Sequence, residues 1–170
     1  MTGLERNAGV VHMASYAPLL AHVEAWQWRP DLIWFDNLTS IGTPNYYVQK
    51  LFSNYSGTNV IPVLTGGKSL AGQDSLYASG TIDKRAGKLY LKVVNVSHSV
   101  KSVTLDFQGL SFGKDCVIET LKSANHSDFN SIEKPRLIYP VSKQLAVKGK
   151  KFNIAVDPIS VNVVIMNFKN

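Results

Sequence analysis

Residues 88–95 read Lys-Leu-Tyr-Leu-Lys-Val-Val-Asn, an alternation that places Leu89, Leu91 and Val93 on one face of a β-strand. Lys92 falls on the opposite face. Three later segments alternate in the same way and supply further inward rows: Val103-Leu105-Phe107, Phe152-Ile154-Val156 and Val161-Val163-Ile165. Because Gly, Asn, Asp and Ser separate such segments, the pattern predicts a mainly β fold with a jelly-roll-like antiparallel β-sandwich.

Two short turns are predicted to join neighbouring strands of this sandwich as hairpins. One is residues 83–87, between Thr81-Ile82 and Leu89-Tyr90. The other is Ser97-His98-Ser99, between Val96 and Val100. Both would keep the strands they join in a single sheet.

The chain before residue 58 follows a different pattern, in which apolar runs alternate with helix signals. Residues 2–7 are typical of the last turn of a helix that stops at Asn7. The nearly continuous apolar run of residues 10–16 predicts a parallel strand that is buried on both faces. Residues 32–35 predict another extended piece.

Thr43 and Pro44 give the clearest helix signal, as N-cap and first helical residue. An apolar stripe at three- and four-residue spacing follows, and Gly57 is expected to close the helix. Helix, buried strand and helix are the repeat of an α/β barrel. The predicted domains are therefore residues 1–57, the end of a (β/α)8 barrel with its last strand and last helix, and residues 58–170, the sandwich.

Composition excludes several functional classes. The net charge of +6 comes from the second domain, which carries +7, whereas residues 1–57 carry −1 with three basic and four acidic side chains. Its lysines, such as Lys84, Lys88, Lys92 and Lys101, are scattered without interleaved aromatic residues, which favours a solvated surface over nucleic-acid binding. No apolar run is long enough to span a membrane, and no signal peptide is recognisable. The single cysteine and the scattered histidines predict no metal or cofactor site.

Three consecutive blocks make the sequence recognisable. They are Met1-Thr2-Gly3-Leu4-Glu5-Arg6-Asn7-Ala8 with the Val10–Leu19 run, Trp28-Arg29-Pro30-Asp31-Leu32-Ile33-Trp34-Phe35-Asp36, and Thr43-Pro44-Asn45-Tyr46-Tyr47-Val48-Gln49. In this order they resemble the end of the catalytic domain of α-L-arabinofuranosidases of glycoside hydrolase family 51. Residues 89–95 and 157–163 resemble the C-terminal sandwich of that family more loosely.

The resemblance implies a retaining hydrolase that removes terminal arabinofuranosyl groups from plant-wall arabinan or arabinoxylan. Such chemistry requires two carboxyl groups about 5–5.5 Å apart. In the family both are glutamates on earlier barrel strands, upstream of the segment that begins here. Glu5, Glu24, Glu119 and Glu133 lie outside the family's catalytic motifs and are interpreted as solvated or capping carboxylates. No catalytic residue is therefore predicted in this chain, and the chain alone is expected to be inactive.

The loop after the predicted buried strand could still contact sugar, because active sites of such barrels lie at the C-terminal ends of the strands. Trp26, Trp28 and Tyr16 are the candidate substrate-binding residues, since indole faces stack on sugar rings. The alternative is that these rings pack between barrel and sandwich.

Two other functions remain open at this stage. The first is a stand-alone carbohydrate-binding sandwich, for which Tyr77, Tyr90 and Tyr139 are the available tyrosines. The second is an assembly module, since the apolar run of residues 10–16 would need cover from a second copy or from the missing N-terminal part of the barrel. The expected partners are thus that barrel portion and an arabinofuranosyl-containing glycan, with neither nucleic acid nor membrane. Cellular location is not predicted.

Overall fold

A computed structural model describes residues 1–147 and 149–169 of the protein, so Lys148 and the predicted domain end at Asn170 lie outside the described residues. The helices are α1 (Thr2–Arg6) and α2 (Pro44–Asn54). The strands are β1 (Leu20–His22), β2 (Ile33–Phe35), β3 (Ser40–Gly42), β4 (Asn59–Ile61), β5 (Leu64–Thr65), β6 (Lys68–Ser69), β7 (Leu76–Asp83), β8 (Lys88–Asn95), β9 (Lys101–Asp106), β10 (Ser111–Lys122), β11 (Val141–Ala146), β12 (Lys151–Val156) and β13 (Ser160–Lys169).

The main sheet has six strands in the order β11-β10-β13-β8-β7-β4, and all its neighbouring strands are antiparallel. Strands β9 and β12 form a separate antiparallel pair that packs on one face of the main sheet. Two β-layers around a common core make a sandwich, as the alternating segments predict. The prediction of a mainly β, antiparallel fold is confirmed.

The core between the two layers is built from the alternating rows. Leu89, Leu91 and Val93 are each no more than 4% exposed and pack with Ile154 and Val156 of β12. The hairpin around residues 83–87 is confirmed by the pairing of β7 with β8.

The other face of the main sheet is also buried, because the first part of the chain covers it. Helix α2 contributes Leu51 to a second apolar cluster that contains Leu121, Val163 and Ile138. The row Val161-Val163-Ile165 therefore faces α2, whereas the Phe152 row faces the main sheet from β12. Alternation identifies the two faces of β13 but cannot say what covers each of them.

The prediction of a buried strand over residues 10–16 is wrong. This segment follows α1 without regular structure, and Val10 and Met13 are 79% and 89% exposed. A parallel strand needs neighbours on its edges and faces, and the described part of the chain supplies none for this run. The parallel pair instead joins β1 to β2, in a three-stranded sheet completed by β3.

The predicted helix after Thr43 is confirmed, although it ends at Asn54, before Gly57. The predicted hairpin at residues 97–99 is wrong, because β9 pairs with β12 and the turn carries the chain from one layer to the other. The strands of the main sheet all begin after residue 57. The division into domains 1–57 and 58–170 stays a prediction, since α1 and α2 both pack on that sheet.

Candidate functional site

Two of the candidate binding residues, Trp26 and Trp28, lie on the loop that connects β1 to β2, and Tyr16 lies in the segment before β1. Thr43 fixes the base of this region: its hydroxyl donates to the Leu32 carbonyl at 2.9 Å and accepts from the amide of Tyr46 at 3.2 Å. Helix α2 is thereby capped and tied to the chain that enters β2. The loop is thus held at its β2 end by hydrogen bonds to the helix start.

Trp26 and Arg29 of the loop form a cluster with Trp34 of β2. The two indole rings meet edge to face, with centroids 5.8 Å apart. The Arg29 guanidinium lies 4.4 Å from the Trp26 centroid and 5.2 Å from that of Trp34. Residue type identified Trp26, but the contribution of Arg29 and Trp34 depends on contacts that sequence spacing does not reveal.

The three predicted substrate-binding residues belong to the same region with different exposures. Trp28 is 62% exposed and Trp26 43% exposed, so both rings are partly free. The Tyr16 hydroxyl lies 3.5 Å from the Pro30 carbonyl, a contact that connects the irregular segment before β1 to the loop. Their role in binding sugar stays a prediction.

Asp31, beside this loop, was missed by sequence analysis. Its side chain is buried at 3% exposure, and its Oδ2 is the only buried side-chain polar atom without a hydrogen-bond partner among the described residues. Burying a polar atom without a partner is costly. Asp31 therefore offers an acceptor that a donor from a partner would satisfy.

Several large apolar side chains within residues 10–38 are exposed, and we call this range the exposed apolar segment. Besides the tryptophans it carries five: Val10, Met13, Leu19, Leu20 and Leu38. Leu38 is 93% exposed. In the described part of the chain β2 is the only strand that pairs with β1, and His22 alone bridges back to Ala25, so the other edge of β1 has no neighbouring strand. Open edges and exposed apolar side chains favour contact with another protein surface.

The glutamates are placed in four separate environments. Glu24 and Glu133 are exposed. Glu119 is half-buried and accepts hydrogen bonds from the Tyr55 hydroxyl at 2.7 Å and the Ser142 hydroxyl at 3.2 Å. It is the only acidic lining residue of a 260 Å³ cleft between α2 and β10, and a larger cleft of 410 Å³ beside α1 has no acidic lining residue. Neither cleft therefore holds the two carboxyl groups that a retaining mechanism requires.

Glu5 forms part of a buried ion-pair cluster with Lys92. The Lys92 ammonium is 0% exposed and donates to Glu5 Oε1 at 2.6 Å, to Thr81 Oγ1 at 3.0 Å and to the backbone carbonyl of Tyr55. The Ser79 hydroxyl donates to the second oxygen of Glu5. The interpretations of Lys92 as a surface lysine and of Glu5 as a solvated or capping carboxylate are therefore wrong. The pair fastens α1 to the main sheet.

The contact between Tyr55 and Glu119 predicts a pH dependence. Burial and the hydrogen bond to Glu119 raise the pKa of Tyr55 to about 12 from its usual value of 10.0. Between these values the unfolded chain loses the proton of Tyr55 while the folded chain keeps it. The free energy of unfolding therefore falls as pH rises through this window. We expect the stability advantage of the wild type over Tyr55→Phe to shrink above about pH 10.

Urea unfolding of both proteins at several pH values from about 8 to 11 measures this difference. Tyr77→Phe, which removes the hydroxyl of a partly exposed tyrosine, is the matched control. Parallel pH profiles for the wild type and Tyr55→Phe would contradict the assignment.

No cluster of three or more His, Cys, Asp and Glu side chains that could hold a metal ion occurs among the described residues. Within the same residues, no helix has both the length and the apolar character to cross a membrane.

Comparison with known proteins identifies the family. The family model described as alpha-L-arabinofuranosidase C-terminal domain matches residues 1–160. Alpha-L-arabinofuranosidase 1 of Arabidopsis thaliana is 32% identical over 168 residues, covering 94% of this chain and 24% of the relative. A probable alpha-L-arabinofuranosidase A of Aspergillus oryzae is 34% identical over 166 residues, covering 96% and 25%. An extracellular exo-alpha-L-arabinofuranosidase of Streptomyces chartreusis is 63% identical over 62 residues, covering 36% and 8%.

Solved structures agree with the sequence comparisons. An arabinose-bound family 51 α-L-arabinofuranosidase is similar over 99% of this chain and 26% of its own, with a TM-score of 0.89 and 31% identity. The family 51 enzyme of Xanthomonas axonopodis pv. citri shares the fold, with a TM-score of 0.76 at 19% identity over 98% of this chain and 33% of its own. The chain spans about a quarter of the length of the relatives that it matches along nearly all its residues. The chain therefore belongs to the α-L-arabinofuranosidase C-terminal domain family.

Proposed function

We propose that this chain supplies the C-terminal sandwich and last barrel helix of a retaining α-L-arabinofuranosidase, while an N-terminal barrel portion supplies both catalytic glutamates. The observation that carries the proposal is the exposed apolar segment of residues 10–38, in which Met13 is 89% exposed and Leu38 93% exposed. Such exposure on one short segment favours a surface that the rest of a barrel covers. The relatives, which are about four times longer than this chain, are consistent with such a portion.

Two features of the same region support this mode of assembly. The open edge of β1, which is parallel to β2, suits the addition of a further parallel strand. The unpartnered carboxylate oxygen of Asp31 suits a donor from the added portion. An edge, an acceptor and apolar side chains in one region together describe an incomplete interface.

In the assembled enzyme, the chemistry belongs to carboxyl groups outside this chain. One carboxylate attacks the anomeric carbon of the arabinofuranosyl group, while the other carboxyl group, in its acid form, gives its proton to the leaving oxygen. Once deprotonated, that second group activates the water that cleaves the covalent glycosyl–enzyme bond. Trp26, Trp28 and Tyr16 contribute binding surface for sugar near the loop after β1. The proposed substrates are terminal arabinofuranosyl groups of arabinan or arabinoxylan.

The proposal is tested with a chromogenic arabinofuranoside. We expect the purified chain to give no hydrolysis above the buffer blank, and turnover to appear when the N-terminal portion of a homologous barrel is added. The Val10→Lys/Met13→Lys double variant should fold normally but fail to restore turnover, because it places charge on the exposed apolar segment that the barrel portion would cover. Lys84→Glu on the exposed turn between β7 and β8 is the control and should restore turnover normally. Turnover by the chain alone would contradict the proposal.

The role of the loop tryptophans gives a separate prediction. In the assembled enzyme, Trp28→Ala is expected to raise KM about tenfold with kcat nearly unchanged, because a stacking ring stabilises bound substrate and transition state alike. Steady-state kinetics on arabino-oligosaccharides measures this. Phe129→Ala, at a 65% exposed ring after β10, is the matched control and should leave KM unchanged. An unchanged KM for Trp28→Ala would favour the alternative in which the ring only packs against the barrel.

The stand-alone carbohydrate-binding sandwich is not favoured by any single observation. Tyr90 is 9% exposed, and Tyr77 and Tyr139 line two different clefts. These three tyrosines therefore do not form, on the described sandwich surface, the row of exposed rings that a carbohydrate-binding face would need. Pairing of two copies through the apolar run of residues 10–16 stays a prediction that sedimentation at varied concentration tests.

A further inference from the structure

Two histidines that are far apart in the sequence meet at one end of the sandwich. His98 lies in the turn that carries the chain from β8 to β9, and His126 lies in the loop after β10. Their Nε2 atoms are 3.3 Å apart, and their ring centroids 4.8 Å apart at an interplanar angle of 67°. Both side chains are exposed. The two ring nitrogens are thus within hydrogen-bonding distance of each other, although the residues lie 28 positions apart in the sequence.

The separation of the two nitrogens matches a known coordination geometry. Zinc binds imidazole nitrogen at about 2.0–2.1 Å with tetrahedral angles, which places two such nitrogens about 3.3 Å apart. We propose that His98 and His126 form a two-histidine binding site for a divalent transition-metal ion, Zn²⁺ or Cu²⁺. Neutral imidazole suits these ions, whereas Mg²⁺ and Ca²⁺ prefer oxygen ligands.

The turns that carry the histidines are each held by their own hydrogen bonds. On the His98 side, the Ser97 amide donates to Asn95 Oδ1 at 2.9 Å, and the Ser97 hydroxyl donates to the same atom at 2.7 Å. On the His126 side, the Asn125 amide donates to the Ser123 hydroxyl at 3.2 Å, and that hydroxyl donates to Asp128. The metal would therefore meet two ring nitrogens on turns that are already ordered, which lowers the entropy cost of binding.

The remaining coordination positions belong to water or to an external ligand. No third His, Cys, Asp or Glu of the described residues joins the pair in a metal-binding group. The site would therefore be open, and its structural effect would be to link the turn between the layers to the irregular segment that follows β10. That segment reaches Asn130, whose side-chain amide donates to the carbonyls of Gly42 and Ile138 at 2.9 Å each.

The test uses the full chain, stripped of metal with a chelator, at about pH 7.5. Isothermal titration with ZnCl₂ should show one site, and saturating Zn²⁺ should raise Tm by about 3 °C, whereas MgCl₂ should do neither. His98→Gln and His126→Gln should each abolish the binding heat and the Tm shift. His12→Gln, at an exposed histidine outside the pair, is the matched control and should keep both.

A second measurement does not depend on stability. In ¹H–¹⁵N spectra of the imidazole side chains, Zn²⁺ should move the resonances of His98 and His126 and leave those of His12 and His22 in place. Equal effects on all four histidines, or no binding heat with the wild-type chain, would overturn the proposal. Loss of Zn²⁺ binding in His12→Gln would overturn it as well.

Discussion

Replacing Glu5 by alanine is expected to lower the free energy of unfolding by about 3 kcal/mol, because the variant leaves the buried ammonium of Lys92 without its carboxylate. Lys92 is 0% exposed, and the Glu5 side chain is only 12% exposed. Burial lowers the pKa of Lys92, and the bond to Glu5 opposes that effect. The remaining partners, Thr81 and the Tyr55 carbonyl, are neutral and cannot replace the charge.

Urea unfolding of a double-mutant cycle isolates this pair. Lys92→Met should be less damaging than Glu5→Ala, because it fills the volume and removes the buried charge, and the double variant should lose much less than the sum of the single losses. Glu24→Ala, at an exposed glutamate, is the matched control and should change stability by less than about 0.5 kcal/mol. Additive losses in the cycle would contradict the account of how α1 is fastened to the main sheet.

The second large effect is expected at Asn95, where an aspartate should cost about 3–5 kcal/mol. The Asn95 amide group is buried and donates to the carbonyls of Ser99, Val156 and Asp157 at 2.8, 3.2 and 2.9 Å. Its oxygen accepts from Ser97. Asn95→Asp keeps the shape but turns a carboxylate oxygen toward three carbonyl oxygens, which would loosen the crossing between the two layers.

The pH dependence of the loss distinguishes charge from packing. Burial beside carbonyl groups raises the pKa of the introduced carboxyl group in the folded state, so the loss should grow as pH rises above the unfolded value of about 3.9 and shrink below it. Urea unfolding between about pH 3 and 7 measures this. Asn167→Asp, at an exposed position, should show little loss at any pH. A loss at Asn95 that does not change with pH would show that the effect is steric.

Local sequence patterns were sufficient to predict the elements whose formation depends mainly on neighbouring residues. Alternation in residues 88–95 predicted strand β8 and its two faces, and the Thr43-Pro44 signal predicted the start of α2. The same alternation placed Lys92 on the face of β8 opposite to that of Leu91. It could not show that α1 would cover the face on which Lys92 lies. The ion pair with Glu5 joins residues 87 positions apart, and no spacing rule reaches that far.

The candidate site could be predicted only in part, because it too depends on contacts that exist only in the folded chain. Residue chemistry identified Trp26, Trp28 and Tyr16, yet the packing of Arg29 on Trp26 appears only in the folded loop. The run of residues 10–16 was wrongly predicted as a strand because a continuous apolar pattern indicates that a segment will be covered, and not that this chain supplies the cover. Its exposure became the observation on which the proposed function depends.

The most direct test of that function is hydrogen exchange on the chain with and without the N-terminal portion of a homologous barrel. The account predicts new protection of backbone amides in residues 10–22, which include the open edge of β1, and no change in β8, which is already buried on both faces. Protection confined to the β9–β12 layer, or none anywhere in residues 10–38, would contradict it.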